Sequence, residues 1–129
     1  MKRQKLISSK IEDLFKNIDK FNRILIIGKT GSGKSVALSR VMWNIPSGIF
    51  LSEGISPKKG EKLIDYAINN QVSIIIDSGC LNKDLTEYFF ENLLRIDVDI
   101  KVIVTIQKES EIGDLISKFD LIITMEEER

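Results

Sequence analysis

Apolar residues recur at two different spacings along this chain, and the switching between them predicts its elements. Leu6, Ile7, Ile11, Leu14, Phe15 and Ile18 fall at helical spacing, which predicts an amphipathic helix ending near Phe21. Residues 23–27 then form a short continuous apolar run of strand type, stopped by Gly28. Val36, Leu38, Val41 and Met42 return to a helical pattern over residues 34–43, with Pro46 just beyond its end. A short strand is expected over 48–51, a turn at Pro57-Lys58-Lys59-Gly60 and a helix over 61–69. Residues 72–76 read as a buried strand, because four of the five are β-branched and apolar. Leu85, Tyr88, Phe89 and Leu93 are spaced to put one face of a helix over 83–94 against a sheet. A strand over 100–106, a short helix over 111–118, a strand over 121–125 and a charged tail at 126–129 complete the pattern.

Strands therefore alternate with helices throughout. That order predicts an α/β fold, a three-layer sandwich whose mainly parallel sheet is covered on both faces. In such folds ligands sit at the carboxyl ends of the strands. The expected division is an N-terminal amphipathic helix at 1–22, a nucleotide-binding core at 23–125 and the tail at 126–129.

Composition narrows the class. A chain of 129 residues suits one core. Nineteen basic and nineteen acidic residues cancel, which weakens the case for a dedicated nucleic-acid binder but leaves room for local patches. Cys80 is the single cysteine, so no disulfide forms within the chain, which fits a reducing cytosol; a cytoplasmic location is the expectation. With no histidine, the common zinc frameworks and histidine-based catalysis are removed. No apolar run approaches the ~20 residues of a membrane span. The basic start, Met1 to Lys5, leads into Ser8-Ser9-Lys10 rather than an apolar stretch, so no secretory signal is read.

The most specific motif is Gly28-Lys29-Thr30-Gly31-Ser32-Gly33-Lys34-Ser35, which fits the phosphate-loop pattern G-x-x-x-x-G-K-[ST] at every fixed position. It also lies where the physics needs it, between a strand and a helix. Glycines let the backbone wrap closely around an anion so that its N–H groups converge on phosphate oxygens. The helix that follows adds a positive dipole end and unpaired donors. Lys34 would reach the β- and γ-phosphates, Ser35 would place a hydroxyl on Mg²⁺, and Val36 continues the binding segment. ATP, as ligand or substrate, and Mg²⁺ are thus the expected small molecules. A turn that binds nothing is the bland alternative, and the second acidic site weighs against it.

That site is Asp77, at the end of an apolar strand, where a carboxylate can hold the water shell of Mg²⁺. The competing reading is a cap for the turn Asp77-Ser78-Gly79. Many ATPases carry a glutamate after this aspartate to polarise the attacking water, and here the position is Ser78. Glu53, just past the strand at 48–51, is the substitute candidate for the base; an exposed loop glutamate is an equal reading. Thr105 and Gln107, at the end of another apolar strand, are candidates for sensing the γ-phosphate, since an amide both donates and accepts.

Taken together, these residues resemble the RecA-like branch of P-loop ATPases over roughly residues 23–125. Ile49-Phe50-Leu51-Ser52-Glu53 is similar to the strand and Ser/Asp-and-Glu segment of RecA and KaiC proteins, Ile74 to Ser78 to their Walker B strand, and Val104-Thr105-Ile106-Gln107 to their strand ending in Gln. Glu53 follows Ser52 directly, whereas those families usually have one residue between. The phosphate loop and residues 103–125 also resemble the FtsK, HerA and conjugative coupling-protein ATPases that move DNA, although the missing glutamate after Asp77 departs from them. The resemblance implies the P-loop NTPase fold, a motor or switch subunit with DNA as a potential partner, and assembly into a homo-oligomer or with a partner protein, because the chain is shorter than most members.

Other residues admit two readings. Lys2, Arg3, Lys5 and Lys10, and separately Lys58, Lys59 and Lys62, are basic clusters of a kind that usually forms solvated faces. Arg95 is a candidate arginine finger across a subunit interface, set against an ordinary surface arginine. Trp43 is expected in core or interface packing, and Cys80 as a small filler. Two further functions stay open: a small-molecule kinase, disfavoured because the arginines at 3, 23, 40, 95 and 129 do not cluster into a lid, and a nucleotide-binding module with weak or lost hydrolysis.

Overall fold

Consecutive residues of the apolar runs point to opposite faces of one sheet, and both faces are buried. In a computed structural model of the chain, residues 6–29, 33–77 and 81–125 are described. Their elements are β1 (Leu6–Ser8), α1 (Ile11–Asn17), β2 (Arg23–Gly28), α2 (Lys34–Asn44), β3 (Ile49–Leu51), α3 (Pro57–Asn70), β4 (Ile74–Asp77), α4 (Lys83–Phe89), β5 (Val102–Ile106) and β6 (Leu121–Met125). A π-helical turn, Phe90–Leu94, extends α4, and two 3₁₀ segments, Glu109–Glu111 and Gly113–Lys118, join β5 to β6. The strands form a six-stranded sheet in the order β1-β6-β2-β5-β4-β3. Every pairing is parallel.

Two apolar cores follow from the alternation. Ile24 and Ile26 of β2, Ile75, Ile103, Leu121 and Ile123 pack under α1 and α2. Leu25 and Ile27 of β2, with Ile74, Ile76, Val102, Val104 and Ile122, pack under α3, α4 and the segments before β6. Steps along the sheet in one direction (β1 to β2, β2 to β3) use the α1/α2 face, and steps in the other direction use the opposite face. A single crossover hand requires that arrangement. Each fully buried Ile or Leu contributes about 1.5–3 kcal/mol of transfer free energy, and the central strands are built almost wholly from them.

The N-terminal expectation is corrected. Leu6–Ser8 is not helical: it pairs with Leu121, Ile122 and Ile123 as an edge strand, and the helix starts at Ile11. Ser8 Oγ donates to Asp13 Oδ2 at 2.5 Å and accepts from Lys10 N–H at 3.0 Å. These local bonds close the turn before α1, and the open edge of β6 supplies the backbone partners that a longer helix would have made internally.

Three smaller expectations also shift. The turn at Pro57–Gly60 is the first turn of α3: Ser56 Oγ accepts from Lys59 N–H at 3.3 Å, and Pro57 suits the first helical position. Gly60 is needed there for space, since a Cβ would lie 2.4 Å from Leu85 Cδ2 of α4. The helix over 83–94 ends in a widened turn, with Arg95 N–H bonded to Phe90 O at 2.9 Å. Both Leu93 and Leu94 in this turn are buried in the core. The short helix at 111–118 is 3₁₀ and is preceded by a second 3₁₀ turn, with Gly113 in the left-handed region at φ 58° following it.

At the amino-terminal edge of the sheet, Arg23 is almost fully buried and its guanidinium donates to Leu94 O at 3.2 Å and Ile96 O at 2.6 Å. Lys101 donates to the carbonyls of Ile18 and Phe21, tying the end of α1 to the start of β5. Burial lowers its pKa, and Asp19 draws it back up. No helix among the described residues is long and apolar enough to cross a membrane.

Candidate functional site

The carboxyl edge of the sheet gathers the sequence motifs. β2 ends at Gly28, which is buried and pairs with Met125 of β6. Lys29 follows, exposed. Thr30, Gly31 and Ser32 lie outside the described residues, as do Ser78, Gly79, Cys80 and the side chain of Ser35. The chain resumes at Gly33, the N-cap of α2, at φ 89° and ψ 9°. That is the left-handed region, which a side chain at this position would strain. Gly33 O accepts from Ala37 N–H at 3.0 Å, so the helical ladder begins here. A glycine cap has no side chain to accept from the first-turn N–H groups, and no acidic residue occupies that turn. By contrast, Ser56 caps α3 and Asn82 caps α4 through Leu85 N–H at 2.9 Å. The α2 start therefore presents donors and a positive dipole end without an anionic side chain of its own. Lys34 is half-buried in this turn, and Val36 faces solvent.

Strand register brings Asp77 to the same edge. Ile26 pairs with Thr105, and Thr105 pairs with Asp77, so the three form a row across β2, β5 and β4. Their parity in the strands matches Ile24, Ile103 and Ile75, which face α1 and α2. Asp77 is thus on the face covered by the helix that starts at the phosphate loop. Thr105 is fully buried, and its hydroxyl donates to Asp77 Oδ1 at 3.0 Å. It holds the carboxylate in place from the adjacent strand, and this explains a buried hydroxyl in an otherwise aliphatic run. The spacing of β2 and β4, two strands apart, is about 10 Å.

Gln107 is the residue after Ile106, which pairs with Ile27, just as Gly28 is the residue after Ile27. It is exposed at the strand end, beside the first residue of the phosphate loop. One residue that pattern reading passed over lies next to it. Glu111 Oε2 accepts from Gln107 N–H at 2.6 Å and from Lys108 N–H at 3.0 Å. The only sequence signal was a glutamate five residues after a strand end, which is too common to single out.

Glu53 is exposed in the turn after β3, ahead of Gly54 at φ 85°. β3 is the far edge strand, three strand spacings from β2, or about 14 Å. Arg95 belongs to the other end of the molecule. It follows the π-helical turn at the amino-terminal edge, where Arg23 binds Leu94 and Ile96, and its Nε pairs with Glu91 Oε1 at 2.8 Å. Trp43 is 85% exposed on α2, so it is not a core residue; with Ser39, Met42 and Pro46 it lines an open groove of about 310 Å³. No group of three or more acidic or cysteine side chains converges among the described residues.

No family model matches this sequence, and no curated protein matches it. Among solved structures the chain is similar to Trip13 from Rhizobiales, with a TM-score of 0.52, 15% identity, and coverage of 86% of this chain and 48% of that one. The chain spans about half the length of that neighbour. At this identity the likeness shows the fold alone: a three-layer α/β domain of the P-loop NTPase type, with an all-parallel six-stranded sheet.

Proposed function

We propose that this chain is a Mg-ATP-binding P-loop ATPase domain, with the triphosphate held by the loop at residues 28–35 and the metal between Ser35 and Asp77. The observation that carries the reading is the row Ile26–Thr105–Asp77, which sets Asp77 on the α2 face at the edge where the phosphate loop opens. The separation of β2 and β4, about 10 Å, suits an aspartate that meets the metal through bound water. When bound, Mg²⁺ would neutralise charge on the β- and γ-phosphates. The chain's own residues bind and orient: the N–H groups at the start of α2 take phosphate oxygens, Lys34 supplies a fixed cation, and Thr105 keeps Asp77 aimed.

The likeness to Trip13, an AAA+ ATPase, supports a nucleotide-binding module of this general type. RecA-like, FtsK/HerA-like and AAA+ proteins share this core, so the proposal does not depend on the branch. DNA action and assembly into rings or with partners remain part of the proposal through the sequence resemblance alone. The kinase alternative loses ground, because Arg23, Arg40 and Arg95 are engaged with Leu94 and Ile96, the Phe15 ring, and Glu91.

Glu53 remains the candidate base. Its place in the turn after the far edge strand favours a second reading, a module that binds nucleotide and hydrolyses it slowly on its own. Isothermal titration of Mg-ATP into the protein and into Lys34→Ala tests binding. Loss of most affinity in a variant with an unchanged melting temperature is expected, and equal affinities overturn the phosphate assignment.

A further inference from the structure

Charges on α3 are sorted around the helix, and their placement does not serve the helix. Lys58, Lys59 and Lys62 are exposed, and Tyr66, 54% exposed, follows one turn after Lys62. The acidic residues of α3 lie apart from them. Asp65 accepts the Tyr88 hydroxyl of α4 at 2.5 Å, and that bond, with the nearby charges of Asp65 and Glu61, helps to raise the Tyr88 pKa. At about 3.6 residues per turn, Glu61 and Asp65 turn toward α4, while Lys59, Lys62 and Tyr66 turn away from it.

We propose that this outer face of α3 binds a single-stranded nucleic acid, with Lys58, Lys59 and Lys62 on its phosphates and a base stacked on Tyr66. This rests on the DNA part of the reading above and not on the phosphate loop, so ATP-free protein tests it.

Three observations carry it. First, the lysines are costly where they stand. Lys58 and Lys59 occupy the first turn of α3, which holds no acidic residue, and the last turn holds no basic one. That is the reverse of what the helix dipole favours. Lys58 and Lys62 are also like charges one turn apart, a destabilising pair. None of the three has an ion pair among the described residues. A chain with nineteen basic and nineteen acidic residues has no bulk excess to explain the cluster.

Secondly, the residue types and spacing suit a strand of phosphodiester. Lys58, Lys62 and Tyr66 succeed one another at about 6 Å along the helix axis. Lysines beside an exposed aromatic ring give phosphate contacts and a stacking platform together, the combination that holds single strands without regard to sequence. Thirdly, the surroundings leave room for a strand and not for a lipid surface. β3 is the edge strand, and α3 packs on β3 and α4, so its flank away from α4 is open. Ile64 and Ala67 are spent in the core, and no apolar face remains to enter a membrane.

The test is fluorescence anisotropy of a labelled oligothymidylate with the ATP-free chain over a range of salt, with melting temperatures alongside. Affinity should fall with salt at a log–log slope of about −2, from about −0.7 per neutralised phosphate of a single strand. Lys62→Gln should make that slope shallower by about 0.7. The triple variant Lys58→Gln/Lys59→Gln/Lys62→Gln should lose most of the binding with an equal or higher melting temperature. Tyr66→Ala should weaken binding about 5- to 150-fold, the range for one stacked base, with the slope kept, and Tyr66→Phe should bind as the wild type does.

Exposed lysines elsewhere provide the control: Lys16→Gln/Lys20→Gln/Lys118→Gln should bind normally. An equal loss in that control overturns the proposal, as does a wild type that does not bind. Tighter binding of a duplex of the same length, or displacement of the oligonucleotide by polyglutamate at equal charge, replaces the single strand by another partner and overturns it too. A lower melting temperature in the α3 triple variant would make the lysines structural. Absent DNA binding with intact Mg-ATP binding sinks this proposal alone, whereas absent Mg-ATP binding sinks the phosphate-site reading and leaves this one standing.

Discussion

The hydroxyl of Thr105, fully buried in β5, donates to Oδ1 of Asp77 on the neighbouring β4 at 3.0 Å. β5 thus separates the phosphate-loop strand from the aspartate strand and also orients the aspartate. The arrangement needs a parallel register in which residues 26, 105 and 77 fall level.

Thr105→Val keeps the shape and strand preference of the position but removes the donor. Stability should change by only about 1 kcal/mol. Affinity for ATP in the presence of Mg²⁺ should fall several-fold, with metal-free ATP affinity unchanged. Titration with and without Mg²⁺ checks this; an equal loss in both conditions would mean the bond serves only the fold.

Glu53→Gln tests the base. Turnover should drop at least ~100-fold, the scale for losing a general base, while Mg-ATP binding persists. Normal turnover in this variant assigns the base elsewhere or favours slow, base-free hydrolysis.

Gly60 of α3 lies close against Leu85 of α4, since a Cβ at Gly60 would come within 2.4 Å of Leu85 Cδ2. Gly60→Ala should destabilise by about 1–3 kcal/mol through overpacking, less up to ~1 kcal/mol regained from helix propensity. Leu85→Ala should cost about 2–5 kcal/mol. The double variant should be more stable than the sum of the two losses predicts, because each relieves the other. Additive losses in urea titrations would place the strain elsewhere.

Tyr88 donates to Asp65 Oδ1 at 2.5 Å, joining α4 to α3, and this bond is the main reason its pKa is raised to about 12. An acid whose folded pKa lies above its unfolded value, near 10, adds stability below the unfolded value and loses it as pH rises through the folded one. The stability gap between wild type and Tyr88→Phe should therefore be constant at neutral pH and close between about pH 10 and 12. A gap unchanged across that window would refute the bond's contribution.

The sequence by itself determined the alternation of strands and helices, the place of the phosphate-loop pattern between β2 and α2, and an aspartate at a strand end. These features are local: unbroken Ile/Val runs select buried parallel strands, and the phosphate-loop pattern is complete within eight consecutive residues. The tertiary structure decided what depends on neighbours. Leu6 and Ile7 fit a helical pattern as well as a strand, and the open edge of β6 resolves them into β1. Strand order cannot be read from periodicity, so only the fold reveals that Thr105 lies between Ile26 and Asp77. For the same reason the sequence leaves open which end of the sheet Arg95 occupies, and α4 with its π-helical turn carries it to the amino-terminal edge. Glu111 was invisible for a further reason: its partners are backbone amides, which every residue but proline possesses and no motif records.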